Sequence, residues 1–387
     1  MQKIRFVFLL LLVILITLYH HPFVYAMNEG SGIEKGSVLS PYIYIIFILL
    51  CLFSFGLKPF KYCNWLKKTL IYLGCIAISL WIASIFFKLN VPSDIRTLAI
   101  PISAVFIGWQ CSLSQSRYKI LVSLFIILTA FVAVLQIKTN IGAFVIEDHY
   151  MVDNKNSLGV VIGTASILSF VLFIQKNSKK VIRIFFLIAT FFLLLCNLTI
   201  RARMATLSLM VLLFYMVYLR SDRKCLIFLI LGFLGIFIIA LVFIPQVFDY
   251  VYGSFFSGYE GEDVTSDRLN RNLGAIAVFM DDPFFCNIEG KYHVHQVHNY
   301  FLKTLYEKGM LFGLPILLMY LYHFFNIIKC SRKRININDN LTMGFIVALY
   351  PFFISLAETT LPYGPGTDSV MNFIILGMAY RNEWKEK

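Results

Sequence analysis

Charged side chains are scarce in this sequence: they make up 14% of the residues, whereas hydrophobic residues make up 59%. That balance leaves too little polar surface to cover a water-soluble domain. Apolar runs of about 18–20 residues recur along the chain, and each is long enough to cross a bilayer as a helix. Because hydrocarbon offers no partner to free backbone groups, helices are the expected spanning form. The sequence therefore predicts an all-α, polytopic membrane protein.

Several catalytic and metal-binding signatures are absent from the sequence. There is no glycine-rich phosphate loop, no GxSxG and no Ser-His-Asp order, which disfavours nucleotide-driven enzymes, proteases and lipases. His293, His295 and His298 are closely spaced, but neither an HExxH helix nor a CxxC pair accompanies them. We therefore expect no metal and no cofactor. Of the eight cysteines only Cys286 falls in a predicted external loop, which leaves no external pair for a disulfide.

The formal net charge of +13 is explained by the positions of the basic residues. Most of the 34 Lys and Arg residues lie in every second connection between apolar runs, and the positive-inside rule makes those connections cytoplasmic. Both termini are then cytoplasmic as well. No aromatic–basic RNA motif or zinc finger occurs, so we expect no nucleic-acid partner.

About twelve transmembrane helices are predicted. The first run, residues 1–26, could be a signal peptide cut after Ala26, but its length and the spans that follow favour an uncleaved helix. The other spans are expected at about residues 40–57, 69–88, 96–113, 120–137, 157–174, 182–200, 204–219, 225–246, 310–328, 341–357 and 369–380.

One large external loop, residues 247–309, divides the chain into helices 1–9 (residues 1–246) and helices 10–12 with a cytoplasmic tail (residues 310–387). Long loops in compact proteins usually carry function. Within this loop a helix is predicted to follow the capping residues 265–267 and to end before Asp282-Pro283. A second helix is predicted to run from about His298 into the tenth span.

Two pairs of arginines are candidate anion-binding residues. Arg268 and Arg271 are three residues apart on the first loop helix, so their guanidinium groups can share an anion such as a diphosphate. The alternative is a pair of solvated arginines near lipid headgroups. Arg201 and Arg203 lie at an external junction of two spans, against the orientation rule. An anionic ligand would compensate their charge; the alternative is contact with lipid phosphates.

His298 is the best candidate for a general acid or base, because imidazole titrates near neutral pH. The alternative is a histidine that only packs at the start of a helix. Glu307 lies on the same predicted helix as a second catalytic candidate, although Lys303 is four residues earlier and a simple ion pair would also explain it.

Other polar residues are weaker candidates. Glu358 and Asp368 flank the external turn 359–367, and either could be a carboxylate base or merely an interfacial charge. Lys155, with Asp153 and Asn156, could add to an external polar pocket.

The order of these residues resembles the core of the O-antigen ligase and polysaccharide polymerase superfamily. The elements of the family's pattern correspond in this sequence, in order, to Arg268, the helix at 269–280, Asp282-Pro283, Gly290, His298-Asn299 and Glu307-Lys308-Gly309. Residues 200–203, Ile-Arg-Ala-Arg, resemble the family's Ser-Arg-Gly element, and residues 153–156 with Gly159 resemble its Asp-x-Asn…Gly element. The sequence departs from the family at Ile200, at Ala202 and in the spacing of its glycines.

The resemblance implies a metal-independent, inverting glycosyltransferase on the external face of the bacterial inner (plasma) membrane. The expected donor is a glycan on a polyprenyl diphosphate such as undecaprenyl diphosphate. His298 and Glu307 would be catalytic, and Arg201, Arg203, Arg268 and Arg271 would bind the diphosphate. The acceptor would be a saccharide, as in polymerisation of O-antigen or another surface polysaccharide, or lipid A–core, as in ligation. A chain-length regulator and membrane lipids are further expected partners. A secondary transporter or lipid flippase is the alternative from another class.

Overall fold

The computed structural model describes residues 2–24, 38–87, 91–111, 113–146, 155–175, 179–200, 202–220, 268–288, 292, 297–333, 344–359, 361–363 and 368–385, with isolated positions between 227 and 238. Throughout this part of the chain the regular structure is helical, and no strand occurs in it. The prediction of an all-α protein is confirmed for these residues.

The helices agree closely with the predicted spans. They are α1 (Gln2–Leu18), α2 (Ser40–Phe53), α3 (Lys58–Tyr62), α4 (Asn64–Phe86), α5 (Val91–Gln110), α6 (Gln115–Ile146), α7 (Lys155–Ile174), α8 (Lys180–Thr199), α9 (Arg203–Arg220), α10 (Arg268–Asp281), α11 (Tyr300–Lys333), α12 (Gly344–Ile354) and α13 (Val370–Lys385). The predicted span at 225–246 lies almost entirely outside the described residues.

Five helices are long and apolar enough to cross a membrane: α4, α6 over Gln115–Thr139, α7, α8 and α11 over Tyr300–Arg332. Four shorter apolar helices accompany them, namely α2, α9, α12 and α13. The protein is therefore a helical membrane protein, while the full number of twelve spans stays a prediction.

Helix α7 is the centre of the bundle. All its residues from 158 to 174 are buried, and α6, α8, α9 and α12 pack around it. Polar side chains tie these helices together. The Tyr350 hydroxyl lies 2.9 Å from the Ala205 carbonyl oxygen and 3.3 Å from that of Gly159. The Asn372 amide on α13 donates to the Thr164 hydroxyl at 3.0 Å and to the Val347 carbonyl at 3.0 Å. Such bonds between helices are a usual source of cohesion in lipid.

The two ends of the bundle differ in character. At one end Arg5 on α1 donates to the carbonyls of Phe53 and Gln110, at 2.9 and 3.2 Å. Arg381 on α13 donates to the carbonyl of Gln110 at 3.1 Å. Cations at the last carbonyls of a helix satisfy free acceptors and complement the helix dipole. The opposite end, beyond the last residue of α1, holds the polar residues described in the next section.

Helix α11 reverses its direction at Gly309. A straight helix would separate Tyr300 from Tyr320 by about 30 Å, at a rise of about 1.5 Å per residue. Instead their ring centroids lie 5.9 Å apart, and the Phe301 ring lies 4.6 Å from Tyr320. Gly309 itself has φ 62° and ψ −179°. Residues 300–308 therefore fold back alongside residues 310–333, which differs from the predicted run straight into the tenth span.

The turn after α10 fills the space beside this reversal. Met310 N–H donates to the Pro283 carbonyl at 2.8 Å, and Leu311 N–H donates to the Phe284 carbonyl at 3.2 Å. These carbonyls satisfy N–H groups that the helix break leaves free. A Cβ at Gly309 would lie 2.1 Å from the Phe284 carbonyl oxygen, so only glycine fits. The Asp-Pro turn and the Glu-Lys-Gly segment, separate in sequence, form one structural unit.

Candidate functional site at the end of the bundle opposite Arg5

The reversal places His298 and Asn299 beside the connection between α12 and α13. Asn299 caps the folded-back helix, because its side-chain oxygen accepts the Leu302 N–H at 3.0 Å. Its amide donates to the Leu356 carbonyl at 2.8 Å, and Tyr300 N–H donates to the Ser355 carbonyl at 3.0 Å. Because Tyr300 lies level with Tyr320, this segment sits about 15 Å from the Gly309 reversal along the axis of residues 310–333.

The imidazole of His298 faces the carboxylate of Glu358. His298 Nδ1 and Glu358 Oε2 are 4.0 Å apart, and the two side chains are only 16% and 12% exposed. Asn156 at the start of α7 donates its amide to Glu358 Oε1 at 3.1 Å. The His298 backbone N–H donates to Asn272 Oδ1 of α10 at 3.3 Å. Asn156, Asn272, His298 and Glu358 are called the polar cluster below.

A second carboxylate lies beside the polar cluster. The Ser157 hydroxyl donates to Asp368 Oδ2 at 2.5 Å, and His20 Nε2 lies 3.7 Å from Asp368 Oδ1. Consecutive residues at the N-terminus of α7, Asn156 and Ser157, thus each bind one of the two acids. The N-terminus of a helix carries partial positive charge, which stabilises carboxylates there. His20 is fully buried and accepts the Gln136 amide through its backbone carbonyl at 2.7 Å.

The arginine-bearing start of α9 packs against α7 at Gly159, near the polar cluster. A Cβ at Gly159 would lie 2.4 Å from the Ala202 Cβ, so α7 and the start of α9 are in direct contact there. Gly159 is one helical turn from Asn156. Arg203 is the first residue of α9 and is half-buried. Arg201 lies outside the described residues.

The second arginine-bearing element, α10, reaches the polar cluster through Asn272. The predicted loop helix is confirmed over Arg268–Asp281, and it ends just before Asp282-Pro283 as expected. Arg271 directly precedes Asn272 and is half-buried. Arg268 opens the helix, although its side chain lies outside the described atoms. Of these two segments, each bearing arginines and about seventy residues apart in the chain, α10 contributes Asn272 to the polar cluster, whereas the start of α9 packs against Gly159, one helical turn from Asn156.

Glu307 pairs with Lys303 on its own helix. Its carboxylate forms an ion pair with Lys303 at 3.8 Å, and the side chains are 35% exposed for Lys303 and 48% for Glu307. This is the simple pairing weighed as the alternative. The carboxylate that faces His298 belongs to Glu358, sixty residues later in the chain. Its place beside the external turn was the only sequence signal that pointed to it.

Some predicted features lie outside the described residues, namely His293, His295, Gly290, Asp153 and Asn154. Within the described part no group of three or more His, Cys, Asp or Glu side chains could hold a metal ion. The seven cysteines described there have free thiols. Burial raises the pKa of the Cys286 thiol, which lies in the turn after α10.

The chemistry available in the polar cluster is proton transfer close to a bound anion. A largely buried imidazole with a carboxylate beside it can accept a proton and have its positive charge stabilised. The arginine-bearing segments of α9 and α10 provide candidate partners for a phosphorylated group. In comparisons with known proteins, no family model matches the sequence, and no curated protein matches it.

Proposed function

We propose that this protein is a membrane glycosyltransferase that moves a glycan from a polyprenyl-diphosphate carrier to a saccharide acceptor, polymerising O-antigen or another surface polysaccharide. The reaction takes place at the external face of the bacterial inner membrane. The observation that carries the proposal is the largely buried pair of His298 and Glu358, which contacts arginine-bearing α10 through Asn272 and, through Asn156, the end of α7 that packs against arginine-bearing α9. Attachment of the finished glycan to lipid A–core is the alternative within the same chemistry.

The diphosphate leaving group gives the candidate arginines a role in the proposed reaction. When the acceptor oxygen attacks the anomeric carbon, the bond from that carbon to the diphosphate breaks and its electron pair stays on the diphosphate. Negative charge therefore grows on the leaving group in the transition state, and preorganised guanidinium donors stabilise it. The energy of the transfer is stored in the diphosphate ester, so the reaction needs no nucleotide.

The polar cluster supplies the base. His298 takes the proton of the attacking hydroxyl, and the resulting imidazolium lies next to the Glu358 carboxylate. We assign to Glu358, rather than to the catalytic candidate Glu307, the role of orienting the imidazole, because Glu358 is the carboxylate that faces the ring. Asn156 and Asn272 hold the carboxylate and the His298 backbone, respectively. Attack from the face opposite the diphosphate inverts the anomeric centre.

The direct test uses the purified protein in lipid nanodiscs with a polyprenyl-diphosphate oligosaccharide as donor. We expect His298→Ala, Arg268→Ala and Arg271→Ala each to abolish chain growth, measured by gel analysis of labelled products. His21→Ala and Arg332→Ala are the matched controls, because these residues lie outside the polar cluster and should leave the product ladder intact. Full ladders from the His298 and arginine variants would overturn the proposal.

A deletion strain separates the two branches of the function. Single repeats on an intact core indicate a polymerase, whereas carrier-linked chains with a bare core indicate a ligase. If unpolymerised carrier-linked repeats accumulate on the cytoplasmic side while the core stays bare, the protein is a transporter or flippase instead, and the glycosyltransferase proposal fails.

A further inference from the structure

Helix α10 leaves four large apolar side chains exposed. Leu269, Leu273, Ile276 and Met280 are 53%, 53%, 39% and 69% exposed. The helix packs against α11 through another face, on which Ala275 is buried and Phe279 contacts the Cys286 and Val297 cluster. An amphipathic helix of a soluble domain would instead bury its apolar stripe. The exposed stripe of α10 therefore needs an apolar neighbour of another kind.

The residues of α10 fall on three faces. Successive side chains are about 100° apart around a helix. On that spacing Asn272, Ala275 and Phe279 form the face packed against the protein, and the four exposed apolar residues form the stripe beside it. The remaining face carries the exposed residues Asn270, Ala277 and Asp281. A helix that lies at a membrane surface has this arrangement, with one side toward lipid and another toward water.

The exposed stripe of α10 is continuous with exposed apolar residues of the following turn and of α11. Phe284, just after α10, is 62% exposed, and its carbonyl accepts the N–H of Leu311, which is 51% exposed. Further along the same span Leu314 and Leu318 are 41% and 44% exposed. Exposed leucines along an apolar span face lipid, because water would make such a surface costly. At the end of the neighbouring α4, Phe86 is 74% exposed, and the ring of the next residue, Phe87, lies 5.9 Å from that of Phe285.

We infer that α10 lies in the external leaflet of the bilayer, with Leu269, Leu273, Ile276 and Met280 among the lipid acyl chains. Its packed face meanwhile holds Asn272 against the His298 backbone. The helix then separates the bilayer from the polar cluster and keeps half-buried Arg271 near the depth of lipid phosphates. This inference does not rest on the proposed glycosyltransferase activity, since it concerns only what covers the stripe.

Site-specific photo-crosslinking in the full-length protein tests the inference. A benzophenone amino acid is placed at Leu273 or Met280, on the stripe, and at Asn270 or Asp281, on the water-facing side. Leu314, on the exposed flank of α11, is the reference for a lipid contact. The variants are reconstituted in nanodiscs of phosphatidylethanolamine and phosphatidylglycerol, illuminated and analysed by mass spectrometry. Elution as a single symmetrical peak on size exclusion shows that each variant is folded.

We expect lipid adducts at positions 273 and 280 in yields comparable to position 314 and several-fold above positions 270 and 281. Adducts to peptides from residues 225–267 at positions 273 and 280 would show that the chain itself covers the stripe, and would overturn the inference. Adducts to a second copy of the protein would do the same, as would equal lipid yields at all four positions of α10. None of these readouts depends on glycan transfer, so failure here leaves the proposed activity separately testable.

Discussion

At the scale of single residues, His298 and Glu358 form the contact on which the proposed chemistry depends. Each side chain is largely shielded from water, so the charge of one matters more to the other than in an exposed pair. The pair of Lys303 and Glu307 is the contrasting case, since both side chains are at least one-third exposed. Exposed pairs of this kind contribute about 0–1 kcal/mol to stability.

Substitution of Glu358 and of Glu307 shows which of the two carboxylates contributes more to kcat. We expect Glu358→Gln to lower kcat by at least about tenfold with little change in KM for the donor, because a neutral amide stabilises the protonated imidazole less in the transition state. Glu307→Gln should have a clearly smaller effect, since its carboxylate is engaged with Lys303. Initial rates over a range of donor concentrations give both constants.

The control for this comparison is Asp281→Asn, an exposed acid at the end of α10 that the proposed mechanism does not use. If Glu307→Gln lowers kcat more than Glu358→Gln does, the assignment based on the sequence pattern is right and the one based on geometry is wrong. An unchanged kcat in both variants would show that neither carboxylate takes part in the reaction.

At the scale of elements, the Gly309 reversal decides where His298 lies. The backbone of Gly309, with φ 62° and ψ −179°, belongs to a region that only glycine occupies readily. Without the reversal, residues 298–300 would extend beyond the N-terminal end of the segment 310–333, far from Glu358 on the α12–α13 connection.

We predict that Gly309→Ala destabilises the protein by about 3 kcal/mol or more, from backbone strain together with overlap between the new methyl group and the Phe284 carbonyl. Gly74→Ala is the matched control. Gly74 lies in α4 with no atom within 4 Å of the added Cβ, and alanine there should be neutral or stabilising by about 0.5–1 kcal/mol. Apparent Tm values in detergent should separate the two variants, and equal values would argue against the reversal.

The contact of Gly159 with Ala202 sets the distance between α7 and the arginine-bearing start of α9. Gly159→Ala should cost about 1–3 kcal/mol, because the added methyl group overlaps Ala202 at 2.4 Å. Adding Ala202→Gly removes that overlap and should recover much of the loss. A double-mutant cycle of Tm values measures the coupling. Simple additivity of the two losses would show that these helices do not meet at Gly159.

At the scale of the whole molecule, the helix ends divide into two groups. Arg5 and Arg381 meet the ends of α2 and α5 at one end of the bundle, whereas His298, Glu358 and Asp368 lie at the other. The basic connections of the sequence belong to the first group. A chain inserted by the positive-inside rule would keep that end in the cytoplasm and expose the polar cluster on the opposite side.

Reporter fusions test this orientation. We expect green fluorescent protein fused after Lys387 to fluoresce, since it folds in the cytoplasm, and alkaline phosphatase inserted after residue 148 to be active, since it requires export. The physical reason is that translocating the lysine- and arginine-rich connections is unfavourable. An active phosphatase at the C-terminus would reverse the orientation and place the polar cluster in the cytoplasm, where the proposed external reaction could not occur.

The sequence alone determined the helical class, the positions of most helices and the boundaries of α10. These features follow from local rules: apolar runs that match a bilayer, a capping residue, and a proline that disfavours helix in the residue before it. His298 and the arginines could be proposed from the sequence as candidates, because their residue types and order limit the chemistry they can perform. Those properties are local to the chain and need no knowledge of the packing.

The tertiary structure alone decided which residues meet. The reversal at Gly309 could not be foreseen, because nothing in the sequence distinguishes a glycine with positive φ from one inside a helix such as Gly74. The pairing of His298 with Glu358 joins residues sixty positions apart. Leu273 and Met280 are exposed, whereas the apolar stripe of an amphipathic helix in a soluble domain is usually buried. Contacts between distant segments depend on how whole helices pack, and local propensity carries no information about that packing.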